Sequence, residues 1–550
     1  MVIQYLDRWN GTQETHGLQW YDVEKRGVNL QKPGRRQVTR TKRKNKTKSR
    51  NHTRIKWMQI MLLSLLVLVI LVADAYRKGK VTLYQEKPAA TKEKKSVSQT
   101  KTTKETTSSA VQPDQNIDSQ KTRILISTTG FTGYYHDLVT VQGTKELTVS
   151  QGKKTRTYPA GEKVAFRMEQ KYSGKIGIEA AEGGRIQICS ITRQNRQPKY
   201  RGKMELKQTE QGFILINELS LQEYLYAVVP SELSTGHKME ALKAQAVCAR
   251  TYAYHQIQSD RYKAYSADLD DSTASQVYNN IPEDKRSRKA VKSTSGEVVA
   301  RNGDPVITYY YSTSWGKSAS GKEVWNTPSE VSHLQSCMQT EGKESGSDRD
   351  LSTDAAFRKF LSQNTVATYD QDAEWYRWHV AISSADLEQR LDAALQSCYQ
   401  TDSSMILTQN QEGEYRKRPL RSLGKLRKIR IESRGKSGLV TALVLVGSEN
   451  VVKVCGQYNI RKVLSPGSAR IHYGGGETTM AILPSAAFYM DCTVDSDGKT
   501  VYEIYGGGCG HGTGMSQCGA SRMAEQGKAY RDILQYYFSG CEVSSKSIIK

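Results

Sequence analysis

The stretch "VVPSELSTGHKMEALKAQAVCARTYAY" (Val228–Tyr254) places one acid, Glu232, between an apolar run with a proline and a segment rich in alanine. Apolar residues recur at three- and four-residue spacing from Leu242 to Ala253, which predicts a helix of about five turns. Its many alanines allow close packing against a neighbouring element. Glu232 is then expected on a loop or in the first helical turn, beside apolar neighbours.

Glu232 has two interpretations on this evidence. An acid near a helix N-terminus can simply offset the helix macrodipole. Alternatively, an apolar pocket can raise the pKa of a carboxylic acid, so that the acid is protonated near neutral pH and donates to a leaving oxygen. A hydrolysing glycosidase needs two carboxylates. One acid is enough if the substrate brings its own nucleophile.

The chain after residue 120 mixes short strand patterns with separate helices. Alternating runs such as "KIGIEA", "GKMELKQ" and "GFILINEL" lie between Gly, Asn and Lys clusters, which is typical of an antiparallel region. A polar, partly helical stretch covers about 326–418, strand patterns resume in "KIRIESRGKSGLVTALVLVG", and two helices follow near the C-terminus. The predicted fold class is α+β, with mostly antiparallel strands and a few packed helices.

The N-terminal part has the pattern of a membrane anchor. Residues 57–73 carry no charge, which predicts one transmembrane helix over 57–76. Residues 32–56 hold 12 basic residues and no acid. Since basic residues stay in the cytoplasm, residues 1–56 are predicted to be cytoplasmic and the chain after the span extracytoplasmic. A cleaved signal peptide is the alternative.

Charge and composition describe the regions on either side of this span. The formal net charge of +24 favours an anionic partner such as nucleic acid, lipid head groups or acidic wall polymers. Next to a span, the basic run serves orientation and lipid contact, so nucleic acid is not expected. Residues 77–120 are rich in Lys, Thr, Ser, Gln and Glu and are predicted to be a disordered stalk. Residues 121–202 are predicted to form an accessory β-rich region.

A glycine run near the C-terminus is a second candidate site. Six of the nine residues Gly506–Gly514 are glycine, which lets backbone amides approach a ligand closely. The Lys-Ser/Thr ending of a phosphate loop is missing. His511 could be a metal ligand, a general base or a hydrogen-bonding wall. HExxH does not occur, and His237 with Glu240 makes only half a zinc motif. A turn needed purely for packing remains the alternative.

The third candidate is "TYYYSTSWGKSASGKEVW" (Thr308–Trp325), which combines tyrosines, hydroxyls and two tryptophans near glycines. Aromatic rings stack on the apolar faces of sugars while hydroxyl groups bond to the edges, so this patch suits a sugar-binding wall. The same residues are also ordinary in strands.

At these three places the chain resembles the family of stage II sporulation protein D and its LytB relatives. The likeness rests on "LQEYLYAVVPSEL" joined to "EALKAQAVCARTYAY", on "YYYSTSWGK", and on the closing "GCGHGTGMSQCGASRMAEQGKAYRDILQYYFSG". Members are membrane-anchored lytic transglycosylases of bacterial cell walls. The resemblance therefore implies a catalytic domain over 203–543, with an insertion at about 326–418 and a glycan groove.

The resemblance also implies a reaction and its residues. The muramyl 6-hydroxyl would attack the anomeric carbon between N-acetylmuramic acid and N-acetylglucosamine, leaving a 1,6-anhydro end. Glu232 would protonate the leaving oxygen and then accept the proton of the attacking hydroxyl. Arg250, five helical turns from Glu232 if one helix carried both, would contact the substrate or steady the acid. The expected groove lining is Tyr311, Ser312, Thr313, Ser314, Gly510, His511, Gly512, Ser516 and Gln517.

The departures from the family set further expectations. Some relatives bind a metal through Cys and His near the Ser-Thr patch, but Ser314 and Trp315 stand here, so no metal or other cofactor is expected. Of the nine cysteines, Cys337 and Cys398 are candidates for a disulfide, and a disulfide or thiol cluster is expected near the glycine loop, from Cys509, Cys518 and Cys541.

The implied setting is the cell membrane, with peptidoglycan strands and other wall-remodelling proteins as partners, in spore engulfment if the family role holds. Two alternatives are a wall-binding or amidase-stimulating module without catalysis, and a septal scaffold that links membrane to wall.

Overall fold

The computed structural model describes residues 116–340, 349–363 and 366–547. The predicted cytoplasmic segment (1–56), the transmembrane helix (57–76) and most of the stalk (77–120) lie outside these residues. Within the described ranges, no helix has both the length and the apolar character needed to cross a membrane.

The first part of the fold is built mainly from strands. Up to residue 311 the described strands are β1 (Lys121–Leu125), β2 (Leu138–Gly143), β3 (Leu147–Gln151), β4 (Lys154–Tyr158), β5 (Val164–Arg167), β6 (Lys175–Ala180), β7 (Ile186–Ile188), β8 (Lys199–Tyr200), β9 (Lys203–Thr209), β10 (Gly212–Ser220), β11 (Leu269–Asp270), β12 (Glu297–Arg301), β13 (Asp304–Pro305) and β14 (Tyr310–Tyr311).

Two antiparallel sheets dominate this part. A seven-stranded sheet has the order β11-β1-β10-β9-β6-β3-β4, in which only β11 pairs parallel to its neighbour. A four-stranded sheet has the order β5-β2-β7-β8. Alternation sets the buried face, since Ile176 and Ile178 of β6 and Met204 and Leu206 of β9 point into the core. The large sheet joins strands from both sides of residue 203, so the accessory region and the predicted catalytic domain share one core.

The described helices are α1 (Leu221–Glu232), α2 (Met239–Ile257), α3 (Lys285–Ser293), α4 (Gly321–Trp325), α5 (Asp354–Ser362), α6 (Ser384–Thr401), α7 (Gln457–Val463), α8 (Gln517–Glu525) and α9 (Tyr530–Tyr537). Short 3-10 turns occur at Ile117–Ser119, Thr129–Phe131, Lys263–Tyr265 and Glu374–Tyr376.

Helix α2 is the central helix of the first core. It packs against α1, α3, α8, α9 and β12. Its buried alanines, including Ala246, Ala249 and Ala253, let these elements approach closely because they carry almost no side-chain volume. The predicted five-turn helix and the two C-terminal helices are thus confirmed.

A second core is inserted between β14 and the end of the chain. Its strands are β15 (Trp378–Ser383), β16 (Ile406–Gln409), β17 (Tyr415–Arg416), β18 (Leu426–Arg434), β19 (Val440–Gly447), β20 (Val451–Cys455), β21 (Ile471–Tyr473), β22 (Gly476–Thr478), β23 (Phe488–Val494) and β24 (Thr500–Gly506). They form two five-stranded sheets, β22-β21-β15-β24-β23 and β17-β16-β20-β19-β18. The predicted insertion at about 326–418 is only the first part of this core, because strands up to residue 506 belong to the same sheets.

The chain returns to the first core through β25 (Met515–Ser516) and finishes with β26 (Glu542–Ser545). Strand β25 pairs in parallel with β14, so the second core leaves and rejoins at one place. Strand β26 extends a small sheet in the order β13-β12-β26. The fold is α+β with mostly antiparallel sheets, as predicted.

The end of the predicted stalk belongs to the fold. Ile117 and Asp118 are buried, and the backbone amide of Ile117 donates to the carbonyl of Lys546 at 2.9 Å. Asp118 also binds Arg250 on α2. The prediction of disorder up to residue 120 is therefore wrong for residues 116–120, because a buried ion pair and a backbone bridge fix them.

Candidate active site

Glu232 is the last residue of helix α1, not the first residue of a following helix. Ser220 caps the start of α1 by accepting from the amide of Glu223 at 3.3 Å, and Pro230 lies in the last turn. The macrodipole is negative at this end, so it disfavours the ionised carboxylate. The interpretation of Glu232 as an N-terminal acid that offsets the macrodipole is therefore wrong.

The Glu232 carboxyl is buried and only half satisfied. The side chain is 6% exposed, and Oε1 accepts from the backbone amide of Val277 at 2.7 Å. The other oxygen, Oε2, is buried without a hydrogen-bond partner in the described protein. Burial raises the pKa of Glu232, against the opposing effects of the Val277 amide and the Tyr310 hydroxyl. The acid is thus favoured in its neutral, proton-donating form.

The walls around Glu232 come from three segments of the first core. Gln276 donates to the Tyr310 hydroxyl at 3.1 Å, which fixes that ring beside the acid. Gln517, the first residue of α8, donates through Nε2 to the backbone carbonyl of Glu232 at 3.0 Å and to Gln245 at 3.3 Å. The amide nitrogen of Gln245 is buried and unpartnered. Glu232 is therefore held beside the tyrosine patch and the segment that follows the glycine loop.

The Ser-Thr patch (Ser312 to Ser314) lies next to Ser516. Asp370, which comes from the inserted part of the chain, contacts both. The oxygens Oγ of Ser312 and Oγ1 of Thr313 are 2.9 Å apart. Asp370 is fully buried, and its Oδ1 accepts from the backbone amide of Ser314 at 2.9 Å and from the Ser516 hydroxyl. Ser516 also caps α8. Asp370 thereby fixes the junction at which β14 pairs with β25.

Asp370 carries no signal in the sequence, and its environment differs from that of a surface acid. Burial raises its pKa to about 7, although the Ser516 hydroxyl and the Ser314 amide, which donate to Oδ1, oppose the shift. Its second oxygen has no partner in the described protein.

His511 lies in an aromatic cluster. Its ring centroid is 5.6 Å from that of Tyr311, 6.0 Å from Tyr309 and 5.5 Å from Trp325. Its Nδ1 accepts from the amide of Thr513 at 3.2 Å. Burial lowers the pKa of His511 to about 3, so the ring is neutral at physiological pH. Trp325 is 38% exposed and forms the solvent-facing side of this cluster.

The glycines of the loop are required by these contacts. Gly510 and Gly512 have φ angles of +110° and +86°, a region that favours glycine. A Cβ on Gly512 would lie 2.4 Å from the Trp315 ring, and one on Gly510 would lie 2.7 Å from Cβ of Tyr311. The packing interpretation of the glycine run thus accounts for both positions.

Glu232 and His511 lie on different sides of the Tyr309–Tyr311 segment. Tyr310 faces Glu232, whereas Tyr309 and Tyr311 contact His511. Since neighbouring side chains of an extended segment point to opposite faces, the two clusters are separated by this backbone. The sequence predicted one common groove wall, but the structure gives two adjacent clusters.

Arg250 does not contact Glu232. Its guanidinium is fully buried and donates to Asp118 at 2.5 Å, to the carbonyls of Val291 and Glu297 at 3.1 Å each, and to Thr294 at 3.4 Å. The prediction that Arg250 binds substrate or steadies the acid is wrong, because Glu232 and Arg250 belong to different helices.

Metal and disulfide expectations can be examined over the described residues. There, no group of three or more His, Cys, Asp or Glu side chains is placed to hold a metal ion. His237 bonds to Ser521, and Glu240 bonds to Lys243 and the Tyr530 amide. No disulfide forms among the nine cysteines, all of which lie in the described ranges. Cys398 is buried in the second core, and Cys518 lies 3.4 Å from Oγ1 of Thr313.

The protein is thus of a class with an α+β domain, in which one acid is buried at the end of a helix near a glycine loop. Residues 209–300 match the family model described as stage II sporulation protein (SpoIID), and residues 319–514 match a domain of unknown function (DUF8618). The first match contains Glu232, and the second covers most of the second core. These matches support the assignment to the SpoIID family that the sequence motifs predicted.

Similar proteins support this assignment. The amidase enhancer of Bacillus subtilis (strain 168) is 26% identical over 321 residues, which cover 58% of this chain and 40% of that protein. Stage II sporulation protein D of the same organism is 24% identical over 343 residues, or 60% of this chain and 76% of that protein. An uncharacterized protein of Brachyspira hyodysenteriae is 27% identical over 346 residues, or 63% and 72%. This chain thus spans less than half the length of the amidase enhancer.

Proposed function

We propose that this protein is a peptidoglycan lytic transglycosylase, anchored in the cell membrane by one N-terminal helix, which cleaves glycan strands outside the membrane during sporulation. The observation that carries the proposal is the Glu232 carboxyl, which is buried, has a raised pKa and leaves Oε2 unpartnered beside Tyr310. A neutral acid with a free oxygen is what proton donation to a glycosidic oxygen requires.

The reaction balances with one acid. Glu232 donates its proton to the oxygen that joins C1 of N-acetylmuramic acid to N-acetylglucosamine, and the C1–O bond breaks. The muramyl 6-hydroxyl oxygen then bonds to C1, and its proton returns to the Glu232 carboxylate. No water is consumed. The Val277 amide and the Tyr310 hydroxyl stabilise the carboxylate between the two proton transfers, because both favour the charged form.

The remaining predicted residues have supporting parts in this proposal. Gln517 fixes the backbone of Glu232, and Ser312, Thr313 and Ser516 form the hydroxyl-rich junction beside it. In the aromatic cluster, Trp325 with the half-buried Tyr309 and His511 offers a stacking surface for a pyranose ring, and the buried Tyr311 supports it from below. Trp325 is its most accessible member.

A second candidate function is stimulation of a wall amidase without glycan cleavage. The similarity to the amidase enhancer over 321 residues favours it. In this case the buried Glu232 would serve only as an acceptor for the Val277 amide.

The test is to incubate the full-length protein with purified peptidoglycan and to identify the products by mass. We expect 1,6-anhydro ends from the wild type, and a loss of about 10²- to 10⁴-fold in their rate of formation for Glu232→Gln. The control is Glu210→Gln, because Glu210 is exposed in the turn between β9 and β10. Free reducing ends would instead indicate hydrolysis. Intact strands together with a stimulated amidase would favour the second function.

The pH dependence of cleavage provides an independent check. The raised pKa means that Glu232 stays protonated above the usual range of a glutamate, and activity falls as pH rises through that pKa. The folded protein also binds this proton more tightly than the unfolded chain, so its stability falls over the same rise in pH. Glu232→Gln should therefore gain stability relative to the wild type as pH increases. A constant difference in stability would show that Glu232 is ionised throughout.

A further inference from the structure

A cavity of about 460 Å³ lies beside helix α1, away from the aromatic cluster. Its lining includes Arg185, Arg196, Lys199 and Arg201 against two acids, Glu223 and Glu283. The charged side chains of the lining therefore sum to +4 − 2 = +2. A concave site with excess positive charge attracts an anionic group.

Two of the four cations are already paired. Arg201 donates to both oxygens of Glu283 at 2.9 Å each, and Arg185 reaches the same carboxylate at 3.3 Å. Glu223 lies 3.5 Å from Arg201. These contacts fix the acidic wall of the cavity, because both of its acids, Glu223 and Glu283, are paired with arginines.

The other two cations have no carboxylate partner in the described chain. Arg196 is half-buried, and its Nη2 donates to the backbone carbonyls of Asn279 and Asn280 at 2.7 and 2.8 Å. Its Nε and Nη1 make no hydrogen bond to a described protein group. Lys199 is exposed and makes no ion pair within the described residues. Arg196 is thus positioned by the protein through Nη2, and its Nε and Nη1 are left to donate single charge-assisted hydrogen bonds to an anion.

The cavity and the acid site share one segment of chain. Val277 donates to Glu232, and two residues later Asn279 lines the cavity and donates its amide to the carbonyl of Ala227 on α1. Two residues of chain span at most roughly 7 Å. Ala227 and Glu232 lie on different sides of α1, so the link runs through the 277–279 segment and not along one helix face.

We propose that this cavity binds a carboxylate carried by a muramyl residue close to the bond that Glu232 cleaves. The inference rests on the proposed function and names the feature of the glycan that the protein reads. Two sources can present the group: the lactyl carboxylate that is exposed when the stem peptide is absent, and the carboxylates of the stem peptide itself. Arg196 and Lys199 are the recognising cations.

The test measures binding of defined glycans to the full-length protein in a Glu232→Gln background, so that cleavage does not deplete the ligand. The probes are glycan strands without peptides, the same strands with their lactyl carboxylates converted to methylamides, strands that keep their peptides, and neutral N-acetylglucosamine oligomers. Lys199→Gln should weaken binding of a carboxylated strand about two- to fivefold, the range for one exposed ion pair. Lys199→Glu should weaken it more. The matched control, Lys207→Gln, changes an exposed lysine of β9 outside the cavity.

Binding that weakens only for peptide-free strands identifies the lactyl carboxylate, and binding that weakens only for peptide-bearing strands identifies the peptide. Equal effects on the methylamide strands or the neutral oligomers would overturn the proposal. So would unchanged binding of every strand in both Lys199 variants. Arg196→Lys, checked by its unfolding midpoint, keeps the charge but loses the Nε and Nη1 donors, and it should weaken binding of the same probe as Lys199→Gln.

Failure here is distinguishable from failure of the proposed function. If wild-type protein makes anhydro ends but the Lys199 variants bind normally, only the carboxylate site is wrong. If no anhydro ends form while carboxylate-dependent binding persists, the cavity is a ligand site of a wall-binding module.

Discussion

Glu232 and Arg250 come from one continuous motif and are both buried, yet their surroundings differ in kind. The guanidinium of Arg250 binds a carboxylate, a hydroxyl and two carbonyls inside the fold. The carboxyl of Glu232 receives one backbone amide and keeps a buried oxygen without a partner. A charged group whose bonds are all made within the protein stabilises the fold, whereas one with an unsatisfied atom retains capacity for a substrate. The sequence motif alone therefore does not show which of its residues stabilises the fold and which can act on a substrate.

The largest effect that sharpens this comparison is expected at Arg250. Arg250→Met should lower the free energy of unfolding by about 3–5 kcal/mol, because it leaves the Asp118 carboxylate buried without its counter-charge. Cleavage per folded molecule should remain near the wild-type value. Urea unfolding and rates at a temperature where the variant is folded measure both. A selective loss of cleavage in a stable Arg250→Met protein would return Arg250 to the active site.

Asp370 lies between Arg250 and Glu232 in this respect. Its Oδ1 accepts two hydrogen bonds, whereas its Oδ2 has no partner in the described protein. Asp370→Ala should cost about 2–3 kcal/mol, because the buried amide of Ser314 and the Ser516 hydroxyl lose their acceptor. Asp370→Asn keeps an oxygen at that position and should cost less.

The two Asp370 variants also differ in pH dependence. The pKa of about 7 lies above that of an aspartate in an unfolded chain, so the contribution of the neutral acid to stability is lost as pH rises towards and past 7. Relative to the wild type, Asp370→Asn should be more stable at pH 8 than at pH 5. Unfolding curves at both values measure this, and the same relative stability at pH 5 and pH 8 would mean that Asp370 is ionised in the fold.

A variant at Trp325 tests whether the aromatic cluster binds glycan. Trp325→Ala should weaken glycan binding by about 1 kcal/mol through lost stacking, with little change in the rate of the bound complex. Tyr458→Ala is the control, because Tyr458 is an exposed aromatic residue on α7. Equal losses in the two variants would remove the aromatic cluster from the binding surface.

The smallest expected effect is at His511. Its folded pKa of about 3 lies below that of an unfolded histidine, so the unfolded chain gains the proton first and stability falls as pH drops below about 6.5. His511→Gln should reduce this fall by about 1 kcal/mol between pH 7 and pH 5.5, as measured by urea unfolding. An unchanged slope would show that His511 does not titrate differently in the two states.

Local periodicity predicted much of the fold. The alternating runs of β6, β9 and β10 and the alanine-rich face of α2 each repeat with the period of their element, so the sequence predicts them directly. It did not predict that Pro230 lies inside a helix. The ring is tolerated near the helix end, where the packing of α1 on α2 outweighs the one backbone hydrogen bond that proline cannot make.

Contacts between residues far apart in the sequence were harder to predict. A raised pKa of Glu232 was one of two interpretations drawn from its apolar neighbours, but its contact with Val277 depends on a segment 45 residues away. Asp370 lies in a loop without periodicity, and only the tertiary fold brings it to Ser314 and Ser516. The strands after residue 418 have the same pattern as those of the first core, so no local signal assigned them to the second.

The bridge between Asn116 and Ser547 has a mechanical consequence. The polypeptide enters and leaves the described fold at the same spot, where Ile117 binds Lys546 and Asp118 binds Arg250. A mechanical force applied through the preceding chain therefore acts first on these contacts and on helix α2. It reaches a sheet only after that. Joining residues 116 and 547 by a short loop, with new ends opened at an exposed turn, should give a permuted protein that still folds.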